Sequence, residues 1–138
     1  MPANISYNPE NDIAITRGRG LSEVWYLRDE NGTPIPLTNY DICIQVRAGT
    51  NGVPDPAGNL VLECSRIGGS STKLTVDDTA GTFQLAFTST DADAFTAGGD
   101  YWWDGYLKPS GQQPEAIPSD GPGKWIVYER VARVGGGA

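Results

Sequence analysis

The chain alternates short apolar and polar stretches with turn-forming residues, which is the pattern of an all-β domain. The clearest stretch is 82–88, where Phe83, Leu85 and Phe87 occupy every second position. Such alternation predicts a strand with one buried face. The same reasoning predicts eight strands in all, at residues 11–17, 21–29, 40–48, 60–65, 72–77, 82–88, 100–108 and 124–134.

The connections between these strands are mostly turns, with one short helical turn predicted at 89–95. Ser89 or Thr90 can cap its start, and Gly98-Gly99 ends it. Two long loops rich in proline and glycine, 48–59 and 109–123, follow the third and seventh strands. If every connection reverses the chain, both loops lie at one end, and the helical turn lies at the other with the start of the first strand and the end of the last.

Many short strands without an internal repeat predict a two-sheet sandwich in a single domain, residues 1–134. A flexible glycine-rich tail, 135–138, is expected to follow. The last strand is apolar on both faces, which predicts that it is buried on both sides or covered by a partner.

The side-chain phase of strand 100–108 can be assigned, with two alternatives left open: the opposite phase, or a long loop that folds over its outer face. Strand 100–108 directs Trp103 inward and Trp102 outward, because neighbouring residues face opposite ways. In strand 21–29 we expect Trp25 to point inward, although this places Glu23 on the core face. The opposite phase, with Val24 inward, stays open.

The two cysteines are not expected to form a disulfide. Alternation places Cys43 on the outer face of its strand and Cys64 on the inner face of the next. A disulfide needs Cβ vectors that converge, and this phase does not provide them. Two cysteines are also too few for a structural zinc site.

Composition excludes several classes of function. The chain has 138 residues, no histidine and a net charge of −7. Histidine-dependent nucleophiles and histidine-ligated zinc are therefore excluded, and the acidic balance disfavours nucleic acids and anionic membranes. The acidic segments 77–78 and 91–93 lack the glycine and glutamate spacing of a calcium loop. We expect no enzyme, no metal and no cofactor, and the N-terminus does not have the pattern of a signal peptide.

Several motifs, taken in order, resemble small immunoglobulin-like bacteriophage virion proteins and the N-terminal domain of phage baseplate upper proteins. In the first half they are segments 12–18, 28–38 and 44–47. In the second half they are segments 80–83, 89–95, 97–104 and 123–127. Arg19, Glu23 and the long 109–123 loop depart from the family pattern.

This resemblance implies an immunoglobulin-like sandwich with a structural role and no catalytic residues. The expected function is that of an adaptor in the tail, baseplate, neck or fibre attachment of a virion, made in the host cytoplasm. It would contact other virion proteins as a homo-oligomer or symmetric assembly. A capsid decoration protein is the alternative within this class, and a carbohydrate-binding module using Trp102 and Tyr106 is the alternative outside it. The candidate contact residues are Trp102, Tyr106, Pro109, Pro114, Ile117, Pro118, Val53 and Pro54.

Overall fold

The computed structural model describes residues 12–17, 24–118 and 121–129. These ranges form short strands and one helical turn, and the expected all-β class is confirmed. In chain order the elements are β1 Ile13–Thr16, β2 Val24–Tyr26, β3 Tyr40–Ala48, β4 Leu60–Ile67, β5 Ser70–Thr72, β6 Leu74–Asp77, β7 Thr82–Leu85, α1 Ser89–Ala92, β8 Tyr101–Pro109, β9 Glu115–Ile117 and β10 Gly123–Tyr128.

The strands form two sheets. The larger sheet has the order β1-β10-β8-β3-β4-β5, with β9 also paired to β8, and the smaller has the order β2-β7-β6. In the larger sheet β1 runs parallel to β10, and the other pairs are antiparallel. This arrangement matches the variable-type immunoglobulin fold, in which two extra strands extend the sheet that contains the last two strands. The predicted immunoglobulin-like two-sheet sandwich is therefore confirmed.

The core lies between the sheets and is rich in large aromatic side chains. Trp25, Trp103 and Trp125 are almost completely buried, as are Phe83 and Phe95. The predicted burial of Leu85 and Phe87 beside Phe83 is also confirmed. Because each buried aromatic side chain removes 150–250 Å² from water, this group dominates the hydrophobic stabilisation.

The predicted inward and outward directions of the side chains agree with the structure in the strands that it describes. Trp25 is 0% exposed while Val24 is 38% exposed, which settles the phase of β2 in favour of Trp25 inward. Cys64 is buried in the core, as predicted. Cys43 lies on the outer face but is only 4% exposed, because Tyr106 and Ser65 flank it on the neighbouring strands. Both thiols are free.

The predicted strand at 72–77 and the predicted cap of the helical turn need correction. The stretch 72–77 is two strands in different sheets, and Lys73 between them has a positive φ of 55°. The cap of α1 is Thr88, one residue before the predicted Ser89 or Thr90. Glu23 and residues 130–138, which include the predicted tail and the end of the predicted last strand, lie outside the described residues.

Candidate functional site

The outer face of the larger sheet carries the aromatic residues that the sequence singled out. In β8, Trp103 and Leu107 point into the core, while Trp102 and Tyr106 are half-buried on the opposite face. The predicted phase of this strand is therefore confirmed. The register places Trp102 opposite Arg47 and Lys124, and Tyr106 opposite Cys43.

A cleft of about 300 Å³ opens on this face at Trp102. One wall is the β3–β4 connection, which contributes Pro54 and Pro56, and Pro122 lies on the other side just before β10. The polar lining comes mainly from two central strands. Its members are Gln45 and Arg47 of β3, Asp104 of β8, and Asp55 of the connection.

Trp102 is held in place by the residue that precedes β8. Its indole Nε1 donates a hydrogen bond to Asp100 Oδ1 over 2.9 Å, and the N–H of Gly52 donates to Asp100 Oδ2, also over 2.9 Å. Gly49 allows this approach, since a Cβ there would lie 2.7 Å from Trp102 Cδ1. Asp100 thus fastens the β3–β4 connection to the indole at the cleft.

Acidic groups outnumber basic ones by three to two in and around the cleft. Arg47 and Lys124 carry the positive charges, and Lys124 Nζ lies 4.8 Å from the centre of the Trp102 ring. Asp55 and Asp104 in the lining, and Asp100 beside the indole, carry the negative charges. Burial raises the pKa of Asp104, and the nearby Arg47 opposes that rise without cancelling it.

Most of the polar side chains in the cleft already have partners. Arg47 donates to Gly58 O over 3.0 Å and to Gln45 Oε1 over 3.2 Å. Asp55 accepts from the Thr50 hydroxyl over 2.8 Å and from a backbone N–H. These contacts hold the Arg47 and Asp55 side chains against the β3–β4 connection.

Tyr106 lies further along β8 and does not line this cleft. It stands beside Cys43 on the sheet. Burial raises the pKa of the Tyr106 hydroxyl, and Cys43, Asp41 and Glu63 add to the rise. Trp102 and Tyr106 therefore share a face but do not form one platform.

Several predicted contact residues are not at the surface. Ile117 is 1% exposed and belongs to the core, because residues 115–117 form β9 rather than loop. Pro109 and Pro118, which end β8 and follow β9, are buried as well. Val53, Pro54 and Pro114 are exposed.

The two long connections leave the larger sheet at opposite ends, contrary to the prediction. β3 and β8 are antiparallel, with Tyr40 opposite Pro109 and Ala48 opposite Tyr101. The connection after Ala48 therefore lies at the Tyr101 end, and the connection after Pro109 lies at the Tyr40 end. The prediction was based on counting strands and treated 72–77 as one strand. That stretch is two strands, β5 and β6, so the count that decides which connections share an end was wrong by one.

The sequence did not identify Arg47, Gln45, Asp100 or Lys124 as parts of the site. Strand alternation places Arg47 and Gln45 on the outer face, but it does not tell which residues of β8 and β10 stand beside them. That information lies in the register, which long-range pairing determines. Within the described ranges, no three histidine, cysteine or acidic residues form a metal-binding group, and no helix could span a membrane.

Comparison with known proteins assigns no family and no function. No family model and no curated protein sequence matches the chain. Among solved structures it is similar to murine CRIg, with a TM-score of 0.42 and 7% sequence identity over 93% of this chain and 99% of that one. The assignment of the class, an immunoglobulin-like β-sandwich, rests on the strand order.

Proposed function

We propose that this protein is a non-enzymatic structural component of a bacteriophage particle. It acts as an adaptor in the tail, baseplate, neck or fibre attachment, where it binds other virion proteins within a homo-oligomeric or symmetric assembly. The sequence motifs that resemble phage virion proteins support the phage origin. Its cellular path is synthesis in the host cytoplasm followed by incorporation into the virion.

The single observation that carries the binding role is the cleft at Trp102, whose lining side chains are held by hydrogen bonds. Tryptophan is enriched in the centres of protein interfaces, where it fills or frames desolvated pockets. Here Asp100 holds the indole by a hydrogen bond, and Pro54, Pro56 and Pro122 line the same cleft. A site that is ordered before binding loses little conformational entropy when a partner arrives. This arrangement suits recognition. Of the two carboxylates in the lining, Asp55 is already engaged by hydrogen bonds and Asp104 lies near Arg47.

Particle incorporation tests the adaptor role directly. We expect mass spectrometry to find the protein in purified particles of the phage that encodes it. Trp102→Ala should fold but enter particles at lower occupancy. Tyr128→Ala is the matched control, because Tyr128 is an aromatic side chain of β10 that is 57% exposed and lies outside the cleft. Absence of the protein from intact particles would overturn the proposal.

A capsid decoration role would give the same incorporation result. Cross-linking within the particle separates the two positions, since a decoration protein would link to the major capsid protein and an adaptor to tail or neck proteins. The proposal favours the tail or neck because the family resemblance is to baseplate proteins.

A carbohydrate-binding module is the second candidate, on one specific observation. The Trp102 ring lines the same cleft as Asp104, whose carboxylate is an acceptor of the kind that sugar hydroxyls use. Tyr106 does not contribute to this cleft, so the two-residue platform expected from the sequence is reduced to Trp102. Titration with an oligosaccharide panel, followed by the indole resonance of Trp102, tests this candidate.

A further inference from the structure

The shape of the cleft limits what it can hold. Its volume of about 300 Å³ is at the lower limit of pockets that take small-molecule ligands, about 300–1,000 Å³. Its apolar lining comes from Pro54, Pro56 and Pro122 together with Trp102. A space of this size beside apolar side chains suits a single ring rather than an extended chain of sugars.

The exposed part of Trp102 is also poorly suited to stacking a sugar. Lys124 Nζ lies over the ring at 4.8 Å from its centre, so one face is covered by a cation. The indole N–H is already bonded to Asp100. A sugar lying flat on that covered face would have to displace Lys124, whereas a ring entering beside the prolines would not.

The polar groups of the cleft leave one acceptor for an incoming ligand. Arg47 and Asp55 are engaged by hydrogen bonds to the β3–β4 connection, to Gln45 and to Thr50. Asp104 receives no hydrogen bond from the residues that the structure describes. Since acidic groups outnumber basic ones here, the cleft disfavours an anionic ligand and favours one that donates a hydrogen bond to Asp104.

We infer that the cleft receives a tyrosine side chain of a partner virion protein, with the ring beside the prolines and the hydroxyl donating to Asp104. This inference rests on the proposed adaptor function and specifies its contact. A tyrosine has the required shape, is neutral and donates one hydrogen bond, and its two χ angles limit the entropy lost on binding. Asp100 is then a positioning residue, because it holds Trp102 and the Pro54 wall in place.

Titration with small probes tests the inference on the isolated protein. The readout is the Trp102 indole N–H resonance, assigned by its loss in Trp102→Phe. We expect N-acetyltyrosinamide to shift this resonance and to bind roughly tenfold more tightly than N-acetylphenylalaninamide, which lacks the hydroxyl. In Asp104→Ala the two probes should bind equally, which would show that the hydroxyl and the carboxylate are coupled.

The matched control is Glu30→Ala, which removes one carboxylate from an exposed turn and should keep the difference between the probes. Equal binding of the two probes by the native protein would overturn the inference. So would a shift produced by methyl glucoside or methyl galactoside but not by the tyrosine probe, or no shift with any probe. Incorporation into particles without probe binding would leave the adaptor role standing and place its contact elsewhere.

Discussion

Trp25 of β2 and Trp103 of β8 meet edge to face across the two sheets, with ring centroids 5.8 Å apart and planes at 63°. Two residues before Trp103, the hydroxyl of Tyr101 accepts a hydrogen bond from the N–H of Thr96 over 2.9 Å. In antibody domains a tyrosine with the same kind of backbone contact lies two residues before the second cysteine of the disulfide between the sheets. Trp103 therefore occupies the position of that cysteine. The Trp25–Trp103 contact therefore stands where those domains have a covalent link.

Truncation of this contact should strongly destabilise the fold. We expect Trp103→Ala to lower the free energy of unfolding by about 3–5 kcal/mol, because it empties a large buried volume and removes the edge-to-face contact. That is a large part of a typical total of about 5–15 kcal/mol. Urea denaturation followed by far-ultraviolet circular dichroism measures the loss.

The neighbouring Trp102 provides the matched control. Trp102→Ala removes a half-buried ring and its hydrogen bond to Asp100, so its cost should be about 1–2 kcal/mol. Equal losses for the two variants would contradict the assignment of inner and outer faces to β8.

Arg66 should be the most sensitive charged residue in the described part of the chain. It is 7% exposed and donates to Asp78, Leu37 O and Tyr40 O, so it joins β4 to two connections. We expect Arg66→Ala to cost about 3–5 kcal/mol, because two carbonyls and a carboxylate lose their donor. Arg66→Lys should recover little, since an ammonium cannot reproduce the planar fork.

An exposed ion pair serves as the comparison. Arg17 Nη1 lies 3.0 Å from Glu129 Oε2, but the two side chains are 34% and 62% exposed. Arg17→Ala should therefore cost at most about 1 kcal/mol in the same denaturation experiment. A loss for Arg66→Ala no larger than this would show that the buried network contributes little.

The sequence predicts the faces of strands well and their partners poorly. Alternation identified Phe83, Leu85 and Phe87 as core and Trp102 as outward, because the side-chain direction depends only on neighbouring residues. The fold class followed from the spacing of strands and turns. The cleft did not, because it combines side chains that are distant in sequence.

The misassigned elements show which structural features a local sequence pattern does not predict. Strand 72–77 looked continuous, but the chain passes from one sheet to the other at Lys73. The segment around Ile117 looked like loop because of its prolines, yet three residues pair with β8 and bury that isoleucine. Arg66 had no sequence signal for burial, since its partners are mainly backbone carbonyls of another segment.

Both cysteines should be unreactive in the folded protein. Burial raises the pKa of Cys43 to about 11 and that of Cys64 to about 12. Because the thiolate is the reactive form, both groups stay protonated and inert near neutral pH. We expect no reaction with Ellman's reagent in buffer and release of two thiol equivalents in denaturant. Rapid labelling of the native protein would contradict the burial of these side chains.

The contact between Lys73 and Asp91 should make the start of α1 sensitive to acid. Lys73 Nζ lies 2.8 Å from Asp91 Oδ1, and the N–H of Thr88 donates to Oδ2 over 3.0 Å. The hydrogen bond from Lys73, and then the one from Thr88, hold the pKa of Asp91 below its ordinary value of 3.8. A carboxylate with a lowered pKa stabilises the fold above its unfolded-state pKa, and that stabilisation is lost as the pH falls through the folded-state pKa.

Asp91→Asn should therefore destabilise the protein at neutral pH and matter less in acid. We expect a loss of about 1 kcal/mol or less near pH 7, since the pair is partly exposed and screened by solvent. The loss should shrink as the pH falls from the unfolded-state pKa of about 4 through the lower folded-state pKa, where the native carboxylate becomes protonated too. Asp93→Asn is the control, because Asp93 is exposed and makes neither contact. Urea denaturation of the three proteins near pH 7 and in acid measures their free energies of unfolding. If the difference between the native protein and Asp91→Asn stays constant down to about pH 2, the carboxylate charge contributes nothing to the cap.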